Sequence, residues 1–299
     1  MKSKEVVILS AKILATFFLF FYVNKNVDFS QIHNIEKLGF VFFIAVTFGF
    51  IQQFFLFLRW YFSLKILNIS VSKKSILKSY FVGQFLGTIT PARSGDLAKA
   101  FYLENTDKKH GTYAVILDGA IAMLTLFFIG GAVFYLCLVG FFSNGITDVC
   151  QNNTYFTYRL SSAAGILCVL LVVVSIILIA IIIISSKTKL SANFFTDFIK
   201  LFSVSILQNA ALIIQAALIF NLLLPVSLDY VLYRVSIAYC VMPFLSITIA
   251  SIGVREWAFT ALFCDEIIAF AVSYILLLCN SVIFMIPGIF LFYFNGKKI

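Results

Sequence analysis

The chain has 299 residues, 62% of them hydrophobic and 12% charged. Soluble domains carry about 25% charge and about 45–50% apolar residues, so this composition excludes an ordinary water-soluble domain and implies an integral membrane protein. The net charge of +9 reads as basic loops that set topology and touch anionic lipid, not as nucleic-acid binding.

Apolar segments fall at 5–23, 38–58, 76–103, 112–142, 160–185, 198–224, 229–263 and 267–294. Runs of about 18 residues or more can cross roughly 30 Å of hydrocarbon as helices. Their continuity, without in–out alternation, favours helices over barrel strands. The first run follows Lys2 and Lys4. It lacks a small-residue cleavage site, with Phe17, Phe18, Phe20 and Phe21 in the way, so it reads as an uncleaved first span.

The third segment is interrupted by TITPARSGDLAK, residues 88–99. Pro91 lacks an N–H and stops the helix. Gly95 permits a sharp turn and close approach of another backbone. The freed backbone groups cannot face lipid, so the bend must be buried in protein or line a wet cavity. Arg93 and Lys99 suit an anionic group, and Asp96 suits the start of the next half-helix and can pair with either cation when the site is empty. A surface ion pair in a cytoplasmic loop is the plainer alternative.

The fourth segment carries Asp118 beside Gly119, an intramembrane acid and hence a candidate functional residue unless it reaches water near the span's end. Gly130 and Gly131 read as helix packing. Asn152-Asn153-Thr154 matches a glycosylation sequon. The seventh segment breaks at SIGVREWAF, with Gly253 for the bend, Arg255 and Glu256 for charge, and Trp257 as an interfacial anchor. The six cysteines show no CxxC spacing. A disulfide between Cys150 and Cys264 is open if both face outside. His33 and His110 have no ligand-like neighbours, so no metal or other cofactor is expected.

Placing all basic clusters (Lys2/Lys4, Lys65/Lys73/Lys74/Lys78, Lys108/Lys109, Lys187/Lys189, Lys297/Lys298) on the cytoplasmic side requires each interrupted segment to enter and leave on one side. The expected fold is therefore all-α: a polytopic transmembrane bundle in one membrane domain, residues 1–299. About six helices cross fully, two re-entrant or broken-helix hairpins dip in, and both termini are cytoplasmic. Two full kinked spans are the competing arrangement. Helix, helix, hairpin, helix occurs twice, which suggests inverted halves 1–142 and 160–299, the layout of many transporters. There is no GxSxG, P-loop, HExxH or GxGxxG motif. The expectation is a non-enzyme without ATP hydrolysis of its own.

TPARSGDLAKAFYL resembles the P-x-R-x-G-(E/D)-x-x-(R/K) signature of the lysylphosphatidylglycerol synthase transmembrane, or flippase-like, family, and ASIGVREWAF resembles its second signature, G-x-G-x-R-E. The signatures occur in family order, with an acid in the intervening span. The resemblance implies a bundle that moves or presents a lipid between leaflets of a bacterial or archaeal cytoplasmic membrane. It assigns head-group contact to Arg93, Asp96, Lys99, Asp118, Arg255 and Glu256, with helix breaks at Pro91, Gly95 and Gly253. Two departures stand out: Ala114-Val115 replace a Glu-Arg pair before Asp118, and Ser251 replaces a glycine. The soluble synthase portion is absent from this sequence, so no lipid aminoacylation is expected. The implied partner is a membrane lipid with an anionic or lipid-linked head group. Two other readings stay open: an accessory subunit for an envelope glycosyltransferase or lipid synthase in glycolipid or polysaccharide biosynthesis, and an intramembrane transferase using Asp96 or Glu256 as base.

Overall fold

A computed structural model describes residues 35–90, 93–104, 106–138, 193–245, 253–263 and 265–294, with short stretches at 172–173, 176–177 and 179–180. The expectations for the first span, Pro91, Ser251, the Cys150–Cys264 pair, the sequon, His33 and most of segment 160–185 lie outside the described residues. Every regular element among the described residues is helical. Four helices among them are long and apolar enough to cross a membrane: Leu38–Ile66, Lys108–Val133, Phe194–Leu223 and Ile267–Tyr293.

Helix α1, Ile35–Ile66, ends in a left-handed residue, Asn68 at φ 54°. The N–H groups of Asn68 and Ile69 donate to the carbonyls of Lys65 and Leu64, both at 3.0 Å, and satisfy the last turn. Helix α2, Lys73–Ile89, starts at Ser72, whose hydroxyl accepts from Ser75 N at 3.2 Å.

Where α2 stops, Thr90 ties the bend together. Its hydroxyl donates to Leu86 O at 2.7 Å and accepts from Gly95 N at 2.6 Å. A 3₁₀ turn, Ser94–Leu97, and α3, Ala98–Phe101, then run back along α2. Glycines make that return close. A Cβ on Gly95 would lie 2.2 Å from Leu86 O, and one on Gly83 would lie 2.2 Å from Lys99 Cγ. At the base, Glu104 N donates to Ser75 Oγ at 2.9 Å. The first interrupted segment thus enters and leaves at one end, as a hairpin.

Helices α4, Lys108–Leu138, and α5, Phe194–Leu223, follow. Among the described residues, the most extensive helix–helix interface joins α1 to α5. It is antiparallel: Lys65 meets Asp197 at 2.8 Å, Arg59 meets Gln208 at 2.7 Å and Gln52 meets Gln215 at 2.5 Å along it. In lipid, apolar burial gives little drive for helix association, so such interhelical hydrogen bonds and close packing carry it. Gly130 serves that packing, since a Cβ there would sit 2.1 Å from Cys240 Sγ. A Cβ on Gly131 would have nothing within 4 Å among the described residues.

Helix α6, Leu228–Leu245, and α7, Val254–Leu262, form the second interrupted segment. Gly253 starts α7 at φ 86°, a conformation that suits glycine alone. The Arg234 guanidinium, near the start of α6, donates to the carbonyl of Leu262 at the end of α7. The Tyr239 and Phe259 rings meet edge to face at 6.0 Å between them. So α7 also folds back on its predecessor. Last come α8, Glu266–Leu277, a π turn at Leu278–Val282, and α9, Ile283–Phe294.

Two apolar clusters hold the bundle. One centres on Phe220, Val235, Phe259 and Phe263, with Phe220 and Phe263 stacked at 3.9 Å. The other centres on Trp60, Tyr80, Ala114 and Ile121. Residues of both clusters contribute to the walls of a cavity that also carries charged and amide side chains.

Candidate functional site

The cavity has a volume of about 510 Å³. Helix α1 supplies Arg59, the first hairpin supplies Arg93, Asp96 and Lys99, α4 supplies Asp118, and the second hairpin supplies Tyr239 and Arg255. The sequence separates these side chains by up to 196 positions, and the two helix breaks bring them onto one surface.

A chain of alternating charge runs along the wall. Arg59 Nε donates to Asp118 Oδ1 at 2.7 Å and Nη2 to Oδ2 at 3.3 Å, a two-pronged clamp. Its third arm, Nη1, donates to Gln208 Oε1 at 2.7 Å. Lys99 Nζ stands 3.6 Å from Asp118 Oδ2 and 3.6 Å from Asp96 Oδ1. Asp96 Oδ2 accepts from Arg93 Nε at 3.0 Å, and Arg93 Nη2 reaches Gln84 Oε1 at 3.1 Å. Lys99 and Asp118 are only 3% and 4% exposed, so they do not snorkel to water. Arg93 leaves half of its side chain accessible.

Local structure aims each group. Arg93 takes the left-handed conformation, φ 53°, just ahead of the 3₁₀ turn. A Cβ on Gly87 would lie 2.5 Å from Asp96 Oδ1, so the missing side chain leaves the slot that Asp96 fills. The Lys99 stem lies across Gly83, and its ammonium sits 5.7 Å from the Trp60 ring centroid.

Of the residues expected at a substrate site, Arg93, Asp96, Lys99, Asp118 and Arg255 line the cavity together. Glu256 does not. Its Oε2 accepts from Gly253 N and its Oε1 accepts from Ser273 Oγ at 2.7 Å. The reason is physical: a helix start leaves orphan N–H groups, and the carboxylate at the third helical position satisfies one of them. Glu256 thereby also neutralises the positive end of α7, leaving Arg255 as the charge that the second break presents. Arg255 has no ion-pair partner among the described residues. Trp257, expected as an anchor, is 45% exposed. Gly95 and Gly253 occupy bends as expected, and Gly95 acts through close approach, not through a positive φ.

Sequence reasoning missed Arg59 and the amides Gln52, Gln53, Gln208, Asn209 and Asn280, all on the wall. The signal was present in Arg59 and the Gln52-Gln53 pair, polar residues in or beside a predicted span. Without the fold, nothing aims them inward. The π turn places Asn280 so that it exchanges hydrogen bonds with Gln215, at 3.0 and 2.8 Å, while its carbonyl accepts from Gln53 at 2.8 Å. No group of three His, Cys, Asp or Glu within metal-binding range occurs among the described residues.

The described lining residues include four basic and two acidic side chains, which leaves two positive charges in excess. Such a cavity is chemically suited to a phosphate or carboxylate. A profile of the lysylphosphatidylglycerol synthase TM region matches residues 7–265. The chain belongs to that family. The match takes in both interrupted segments and stops at Asp265, so α8, the π turn and α9 lie beyond it. Comparisons with curated proteins and with solved structures returned no match. Family membership and the four apolar helices make this a membrane protein with transmembrane helices.

Proposed function

We propose that this family member binds an anionic lipid head group in the cavity and passes it across the cytoplasmic membrane without ATP hydrolysis. The observation that carries the reading is the excess positive charge between the two helix breaks, with Arg255 unpaired among the described residues. A phosphate cannot cross hydrocarbon bare, because an isolated buried charge costs tens of kcal/mol in an idealised apolar medium, on the order of what no lipid can recover unaided. A cavity that replaces the lost hydration with guanidinium donors removes much of that cost. Asp96 and Asp118 temper the cation cluster, which keeps binding weak enough for release.

In this reading about six helices cross the membrane, two hairpins re-enter, and both termini lie in the cytoplasm. The hairpins belong to inverted halves that rock around the cavity. The chain acts as a carrier, not an enzyme, and its partner is the lipid itself.

The test is reconstitution in liposomes containing fluorescently labelled phosphatidylglycerol, with the outer leaflet chemically bleached. Wild type should render the inner label accessible, and Arg93→Ala with Arg255→Ala should slow it to the protein-free rate. Equal rates for wild type and double variant would overturn the reading.

A further inference from the structure

Among the described residues, every carboxylate oxygen near the cavity's cations but one has a hydrogen-bond donor. Asp118 Oδ1 and Oδ2 accept from Arg59 at 2.7 and 3.3 Å, and Asp96 Oδ2 accepts from Arg93 at 3.0 Å. At the second break, the Glu256 oxygens accept from Gly253 N and Ser273 Oγ. The exception is Asp96 Oδ1. It is buried with no hydrogen-bond partner among the described residues, and Lys99 Nζ stands off at 3.6 Å. A buried acceptor left without a donor is costly. It also keeps its lone pairs open to a proton.

Asp96 is held where an incoming anion must meet it. Its N–H donates to Arg93 O at 2.9 Å, Thr90 holds the adjacent Gly95 N–H, and the carboxylate fills the slot at Gly87. An anion drawn to Arg93 and Lys99 therefore arrives beside a negative charge already there. Like charges sharing one site favour protonation of one of them. Asp118 is the poorer acceptor, because the two-pronged Arg59 clamp favours its ionised form. Gln84 Oε1 holds Arg93 from the other side at 3.1 Å, so the guanidinium keeps an anchor once Asp96 is neutral. The Asp96 side chain is 21% accessible, enough to exchange a proton with water. The turn that carries it packs against α2, α3 and α4. The groups facing it are Gln84 and Tyr80 from α2, Arg93 and Lys99 from the hairpin's return, and Asp118 from α4 through Lys99. Arg59 and Arg255 complete the charges on the cavity wall. The Tyr80 hydroxyl is committed to Gln53 Oε1 at 2.5 Å.

We propose that anion binding in the cavity is coupled to the uptake of one proton by Asp96, so that the occupied site holds a neutral carboxylic acid. This rests on the anion-binding reading above and adds to it a link between the site and a proton gradient. The step is a protonation alone. The carboxylate gains H⁺ from water as the anion binds and returns it on release, with no other bond made or broken.

The test is calorimetric titration of the full-length protein in detergent with dioctanoyl-phosphatidylglycerol, whose phosphodiester does not titrate near neutral pH. Repeating it in two buffers of different ionisation heat counts the protons taken up. Wild type should take up close to one proton per lipid bound at the pH where uptake is largest. The bound form then holds one more proton than the free form, so affinity should fall by about tenfold per pH unit as pH rises through that range. Asp96→Asn, which mimics the protonated acid, should bind at least as tightly, with no uptake and a flat pH profile. His110→Gln removes the side chain whose ordinary titration lies nearest neutrality and should keep the wild-type uptake. If wild type binds the lipid without proton uptake, if Asp96→Asn retains it, or if His110→Gln abolishes it, the proton assignment is wrong although the anion reading stands. If phosphatidylglycerol binds no better than dioctanoyl-phosphatidylcholine, the anion reading falls and the proton assignment with it.

Discussion

Lys99 stands 3.6 Å from Asp118 on α4 and the same distance from Asp96 on its own hairpin, so one buried ammonium links the first hairpin to a long apolar helix. Each distance exceeds a hydrogen bond, which leaves the ammonium shared, not committed. A phosphate entering between Arg93 and Lys99 can compete for it.

Removing that shared charge should separate transport from folding. Asp118 keeps its Arg59 clamp in Lys99→Met, and the unbranched thioether follows the lysine stem across Gly83. The expected loss is about 10- to 100-fold in anionic lipid transfer, matching about 1.5–3 kcal/mol for one charge-assisted hydrogen bond. The melting temperature should move little. Liposome transfer and thermal unfolding on the same preparation check both halves.

On the proposed function, Asp96 acts as a tethered stand-in for the ligand's anion. Asp96→Asn removes the competitor while keeping shape in the Gly87 slot. Anionic lipid should bind tighter and leave more slowly, so affinity rises while turnover falls. Equilibrium binding and transfer rate measured together would show this opposition. A fall in both would mean that Asp96 contacts the ligand directly.

Arg59 and Asp118 should behave as a unit. Either single truncation, Arg59→Met or Asp118→Leu, leaves a buried charge with a lost partner and should cost about 3–5 kcal/mol. The double variant should cost clearly less than the sum, a coupling that thermal or denaturant unfolding of the four proteins measures.

Glu256 is assigned to structure. Glu256→Ala frees Gly253 N and Ser273 Oγ and should destabilise the protein by about 1–2 kcal/mol, the typical worth of a helix cap. Binding of anionic lipid per folded molecule should stay near wild type, whereas Arg255→Ala should weaken binding with little loss of stability. Reversed outcomes would return Glu256 to the site.

Much of this was legible from the chain. Polar residues in apolar surroundings marked both breaks, because freed backbone and charge cannot face lipid. That rule led to Arg93, Asp96, Lys99 and Arg255, which the fold does gather on one cavity. It could not separate Arg255 from its neighbour Glu256, since adjacent residues on a short helix point in different directions and only the cap geometry assigns them. Nor could it find Arg59. Asp118 lacks a basic residue at Ala114-Val115, and its partner comes instead from α1, 59 positions away. Such a pairing depends on helix packing, which local sequence does not encode. The glycines were half read. Gly83 and Gly87 lie inside an apolar run with no charge or proline beside them to mark them, yet they hold the slots for Lys99 and Asp96.

The most direct measurement is a cryo-electron microscopy map of the protein in nanodiscs of phosphatidylglycerol. Head-group density should lie inside the cavity, within hydrogen-bonding reach of both Arg93 and Arg255, and should vanish in the Arg93→Ala, Arg255→Ala double variant. Ordered lipid confined to the outer surface of the bundle, with the cavity unchanged by the double substitution, would contradict the account.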